Sequence, residues 1–166
     1  MLKPQDLIVA IAIFSEKEWT QTSIAKSLNL PQGEVSKALS RLEEGGLYNP
    51  VFKRVQKDSL YDFLAHGVKY VFPGKLGKSV QGIPAAWGVL GGISDSSPPV
   101  WEIPSEEARP SSVQRGRALN PIHKSALNLA SVNAKARSLI AAIDSVRVGK
   151  AREMNLGRDI LKKELA

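Results

Sequence analysis

The chain has 166 residues, 43% hydrophobic and 23% charged, with a formal net charge of +7. That length builds one sizeable core, or a small core with an appended oligomerisation element. Cysteine is absent, which excludes disulfides, thiolate metal sites and cysteine nucleophiles and fits a reducing cytosol. The charge is uneven: residues 1–58 hold 8 Lys/Arg against 7 Asp/Glu, residues 59–108 hold 3 against 5, and residues 109–166 hold 12 against 4. A basic excess of this kind attracts polyanions, either nucleic acid or an acidic protein partner. The plainer alternative is a solvated face.

The apolar residues Leu7, Ile8, Ile11, Ala12 and Phe14 predict a buried first helix from Asp6 to Ser15. This run is too short to cross a bilayer and no small-residue cleavage site follows it, so the expected setting is the cytoplasm, with no membrane partner. Trp19-Thr20 is read as a short strand. Thr20 or Thr22 then offers an N-cap for a second helix reaching Leu28. Asn29-Leu30-Pro31 is a turn whose proline suits the start of a third helix, Gln32 to Glu44, and Gly45-Gly46 permits a left-handed cap. Asn49-Pro50 signals another turn. A fourth helix is expected from Lys53 to Ala65, and the alternating Val68–Phe72 reads as a strand.

Residues 73–120 are dense in Gly, Pro and Ser and read as a linker or irregular arm, with Trp87 and Trp101 as possible anchors. In the C-terminal third, Leu129, Val132, Ala136, Leu139, Ile143 and Val146 recur at spacings of three and four. Such a stripe is either core or a dimerisation seam, and a homodimer is slightly favoured because two-fold symmetry doubles the contacts to a palindromic site. A last helix runs from Ala151 to Leu165. The segments are thus 1–72, 73–120 and 121–166, in an α+β, mostly helical chain.

Residues 20–47 carry the functional signal. Ile24, Leu28, Val35, Leu39 and Leu42 pack two short helices together across a tight turn, with Ala25 small at the approach. Gln32, Gly33, Ser36, Lys37, Ser40 and Arg41 are left facing outward, with Glu34 at the edge. A helix of this width enters the major groove, where Gln32 pairs with adenine and Lys37 or Arg41 reaches guanine or phosphate. Thr22, Ser23 and Lys26 lie where the second helix crosses the phosphate backbone. The spacing Ile24-Ala25…Leu28, Leu30-Pro31, Val35-Ser36…Leu39…Leu42 and the closing Gly46-Leu47 resemble the winged helix-turn-helix of MarR-type and related bacterial regulators. The resemblance covers about a quarter of the chain. It implies a double-stranded DNA-binding transcription regulator, expected to act as a dimeric repressor. A wing normally follows the third helix; with a helix expected after Asn49-Pro50, the wing is either very short or displaced to a hairpin around Lys75 and Lys78.

No enzymatic or cofactor site is expected. Gly77-Lys78-Ser79 ends like a phosphate-binding loop, but Phe72 stands where the leading glycine belongs and no helix start follows. His66 and His123 are isolated, which does not make a zinc site, and the serines near His123 lack an orienting acid. Glu43-Glu44 and Glu106-Glu107 are adjacent pairs that point apart. The alternative from another class is an antitoxin-like partner-binding protein of a two-gene module that also controls its own promoter. It rests on the apolar stretch Gly82–Leu90, which with the basic tail would clasp an acidic toxin.

Overall fold

The segment Leu7–Ile13 is apolar on every side, and a helix of that kind is stable only when surrounded. In the computed structural model, which describes residues 1–103 and 113–165, it is the centre of α1 (Pro4–Ser15). Leu7, Ile8, Val9, Ala10, Ile11 and Ala12 are wholly buried, enclosed by α2 (Gln21–Leu28), α3 (Gln32–Glu44), α7 (Ser125–Val132) and α8 (Ala134–Val148). Pro4 opens α1 where a missing N–H costs nothing. The Asp6 carboxylate accepts the Lys3 backbone N–H at 2.7 Å, closing the first turn.

A two-stranded hairpin follows α3: β1 (Tyr48–Asn49) and β2 (Arg54–Val55), paired antiparallel as Tyr48 with Val55 and Asn49 with Arg54. The fourth helix therefore begins later than the sequence suggests, at α4 (Lys57–Asp62), because Lys53–Val55 are spent on the hairpin. It continues through a π turn (Phe63–Gly67) into α5 (Val68–Val71). The expected strand at Val68–Phe72 is thus helical up to Val71. Val68 is buried where α5 packs on α8, while Tyr70 and Val71 are both exposed, so packing has overridden a local β preference. Trp19-Thr20 forms no strand; Thr20 is the N-cap of α2.

The Gly/Pro/Ser-rich stretch is not a free linker. It supplies β3 (Leu76–Pro84), the short α6 (Trp87–Leu90), β4 (Pro99–Glu102) and β5 (Gln114–Leu119). The strands close a small barrel in which β3 runs antiparallel to both neighbours and β4 runs parallel to β5. Trp87 and Trp101 are buried, and the Ser94–Pro99 loop is tied down by Asp95. Its carboxylate accepts the Trp87 indole N–H at 3.0 Å, the Ser97 backbone N–H at 3.0 Å, and the Arg117 guanidinium. Glu106-Glu107 and Pro110-Ser111-Ser112 lie outside the described residues. One apolar cluster joins α1, Trp87 on α6, Trp101 on β4 and α9 (Ala151–Leu165), and the chain is α+β and mostly helical. Among the described residues no helix is long and apolar enough to cross a membrane.

The stripe from Leu129 to Val146 is core, not a seam between copies. Asn133 breaks it into α7 and α8 and caps α8, its side chain accepting the Ala136 N–H at 3.0 Å. Leu129, Ala136, Leu139, Ile143 and Val146 are buried within one chain, and only Val132 is exposed. A three-four repeat reports that a helix face is buried, but not against what.

Asp144 on α8 is fully buried, and desolvation pushes its pKa up to about 6 despite the Arg147 guanidinium 2.7 Å away. The Trp101 indole N–H lies near enough to lower that pKa, without a well-aligned hydrogen bond to the second oxygen. A raised folded-state pKa means the folded chain binds the proton more tightly, so Asp144 favours folding more as pH falls from about 7 towards 4. His123 opposes this. Burial, then Lys124, lowers its pKa, so its contribution declines as pH drops through the ordinary histidine range. The comparison of wild type with Asp144→Asn isolates the carboxyl. Denaturant unfolding should show wild type gaining up to about 3 kcal/mol on the variant between pH 8 and 4; parallel curves would refute the assignment.

Candidate nucleic-acid interface

The helix pair is fixed by local chemistry. Thr20 Oγ1 accepts the Ser23 N–H at 3.0 Å, and Ser23 Oγ accepts the Thr20 N–H at 2.9 Å, a reciprocal cap that starts α2. Asn29 ends it in the left-handed region at φ 54°, a conformation asparagine tolerates. Pro31 precedes α3, and Gly46 (φ 75°) lets the chain leave it. Ile24, Leu28, Val35, Leu39 and Leu42 are buried between the helices and α1.

That burial leaves Gln32, Gly33, Ser36, Lys37 and Ser40 exposed along one side of α3, and Thr22 and Lys26 exposed on α2. Thr22 Oγ1 donates to Gln32 Oε1 at 3.5 Å, linking the two helices on the open side. Among the described residues Lys37 makes only a solvent-exposed pair with Glu34 at 3.4 Å. Glu34 is turned aside by Gln5, whose amide donates to it at 2.9 Å; that hydrogen bond and Lys37 hold its carboxyl below the usual range. Ser23 is half-buried and its hydroxyl is already used in the cap, so it contributes to the surface mainly through its backbone.

Arg41 does not belong with the free cations. Its Nε and its terminal NH2 nitrogen each donate to the wholly buried Asp6 carboxylate at 2.8 Å. Its side chain is 15% exposed. It clamps the middle of α3 to the start of α1, and in this arrangement its guanidinium is not free to reach guanine or phosphate as the sequence predicts.

The β1–β2 hairpin stands in the position of a wing. Asn49 Oδ1 accepts the N–H groups of Val51 and Phe52 at 2.9 and 3.1 Å and shapes the turn. The Trp19 indole N–H donates to the Lys53 carbonyl at 3.2 Å, and the Trp19 ring meets Tyr48 edge-on. The tip offers Val51 and Phe52, both exposed, with the Arg54 guanidinium 5.0 Å over the Phe52 ring and Lys53 beside it. Of the two expected alternatives, a very short wing or one displaced to Lys75 and Lys78, the described residues hold a short hairpin after α3 and none around those two lysines. Lys78 lies in β3, in the barrel, and Lys75 just precedes it; both are exposed. The sequence reading missed Lys53 and Arg54 although Asn49-Pro50 marked the turn between them and α3.

Elsewhere the two histidines make local contacts. His123 Nδ1 accepts the Ser125 N–H at 3.2 Å and lies 2.8 Å from its hydroxyl, a local turn before α7. His66 is exposed and meets Tyr61 edge-on. No group of three or more metal-ligating side chains occurs among the described residues. In the stretch Gly82–Leu90, Ala85, Ala86 and Trp87 are buried in the chain's own core, so they are not available to clasp a partner. No protein-family model matches the chain, and comparison with curated proteins and with solved structures likewise gives no match.

Proposed function

We propose that the protein binds double-stranded DNA through α3, α2 and the β1–β2 hairpin, and regulates transcription by occupying a promoter as a repressor in the cytoplasm. The observation that carries this reading is the open side of α3, Gln32 to Ser40, flanked by exposed cations on α2 and the hairpin. An exposed helix with short polar side chains suits the major groove, its N-terminal residues nearest the bases. Gln32 is the candidate for adenine, and Lys37 for guanine or phosphate. Thr22 and Lys26 on α2, and Lys53 and Arg54 on the hairpin, supply phosphate contacts that set register. With the Leu129–Val146 stripe consumed inside one chain, a two-fold assembly on a palindromic site would have to use a different surface.

The test is a mobility-shift titration against the chain's own upstream region at several salt concentrations. Lys37→Ala should lower specific affinity by about 1–3 kcal/mol if it contacts a base. Arg54→Ala should weaken all sequences alike and reduce the salt slope by about one. Both residues are exposed, so folding should be untouched. Wild-type affinity and slope in both variants would remove this surface from the reading.

A further inference from the structure

A cleft of 450 Å³ opens between the barrel and the helices α7 and α8, and it shares no residue with the α2–α3–hairpin surface. Its volume is that of a small-molecule site. Ile83 and Val89 line it from the barrel side, Leu127 and Ala130 from α7, and the Trp101 indole forms a further wall. Trp101 is buried, and its ring offers the cleft apolar surface. Among the described residues the one charged lining residue is Arg137 on α8. Arg41, Arg117 and Arg147 are each paired with an aspartate, whereas Arg137 is exposed and is in none of the ion pairs among the described residues.

We propose that this cleft binds a medium-chain aliphatic carboxylate, its chain against Ile83, Val89 and Leu127 and its carboxylate on the Arg137 guanidinium. Mostly aliphatic walls with a single aromatic ring favour an alkyl body over a stacked one. A lone cation beside apolar surface matches one negative charge, and a planar guanidinium matches a carboxylate. Polyphosphates would meet too little positive charge. The inference is independent of the DNA reading, because the two surfaces share no residues.

Calorimetric titration of the full chain with octanoate, octanol and octylamine tests it, with tryptophan fluorescence as a second signal. Octanoate should bind saturably at one site per chain and perturb the emission. Octanol should bind at least about fivefold more weakly and octylamine not at all, since only the acid uses the charge-assisted hydrogen bond. Arg137→Gln, on an exposed side chain, should melt like wild type and no longer distinguish octanoate from octanol. The proposal is overturned if octanoate heats never saturate in the millimolar range, or if Arg137→Gln keeps the wild-type preference. It is also overturned if the chain sediments as a dimer that octanoate dissociates, which would make a second copy the occupant.

Discussion

Arg41→Ala should cost the fold far more than Lys37→Ala, although both lie on α3. Removing Arg41 leaves Asp6 wholly buried with its two guanidinium hydrogen bonds gone. Losing one partner of a buried pair costs about 3–5 kcal/mol, chiefly because the other charge is stranded away from water. Lys37→Ala removes an exposed pair and should stay within about 0.5 kcal/mol of wild type. Arg41→Lys should rescue little, since an ammonium cannot form the two-pronged contact. Replacing both partners with apolar residues, Asp6→Leu with Arg41→Met, should recover much of the loss; a remainder reflects the Lys3 N–H that Asp6 also satisfies. Urea unfolding of the four variants decides the matter. Should Arg41→Ala unfold at the wild-type midpoint yet fail to shift DNA, Arg41 reads the duplex after all and the clamp is incidental.

The same pair shows where the sequence is legible and where it is not. The limits of α2 and α3 follow from neighbours within a few positions: Thr20 with Ser23, Pro31 before the third helix, Gly45-Gly46 after it. Asp6, by contrast, is 35 positions from Arg41, and nothing local says that a solvent-side arginine on α3 has a buried partner. The outward set was therefore right in its periodicity at Gln32, Gly33, Ser36, Lys37 and Ser40, but not at Arg41. A very short wing was one of two alternatives, and its place at Tyr48–Val55 was not legible for a different reason. With two residues per strand it has no alternation to detect, and its stability comes from Asn49 and from the distant Trp19. The Leu129–Val146 stripe shows a third kind of failure: burial of a helix face was readable, but the identity of the covering surface was not. Nor did a composition rich in Gly and Pro reveal the barrel, whose strands pair across long separations.

Gly116→Ala should be among the most damaging small substitutions in the molecule, because of how that barrel closes. With so few strands the parallel pair β4–β5 is drawn close to β3, and the glycines sit where backbones nearly touch. A Cβ on Gly116 would collide with the Pro98 carbonyl, and one on Gly82 with the Trp101 carbonyl. Both obstacles are backbone and cannot rotate aside as a side chain end can. Relief requires the strands to part, which disturbs Val100 and Trp101 and, through Trp101, the buried Asp144. A loss of about 3 kcal/mol or more is expected, from the class of overpacking that cores cannot absorb. In a domain of this length that lowers the melting midpoint by roughly 6–12 °C. Gly33→Ala is the control: it is exposed in α3, an added Cβ meets nothing within 4 Å, and alanine is the better helix former by up to about 1 kcal/mol. It should melt at or above wild type. Because one apolar cluster joins the barrel to α1 and α8, Gly116→Ala should melt in a single transition by far-ultraviolet circular dichroism and by tryptophan emission. Two separated transitions would mean that the barrel folds apart from the helices, and that its collapse leaves the α2–α3 surface standing.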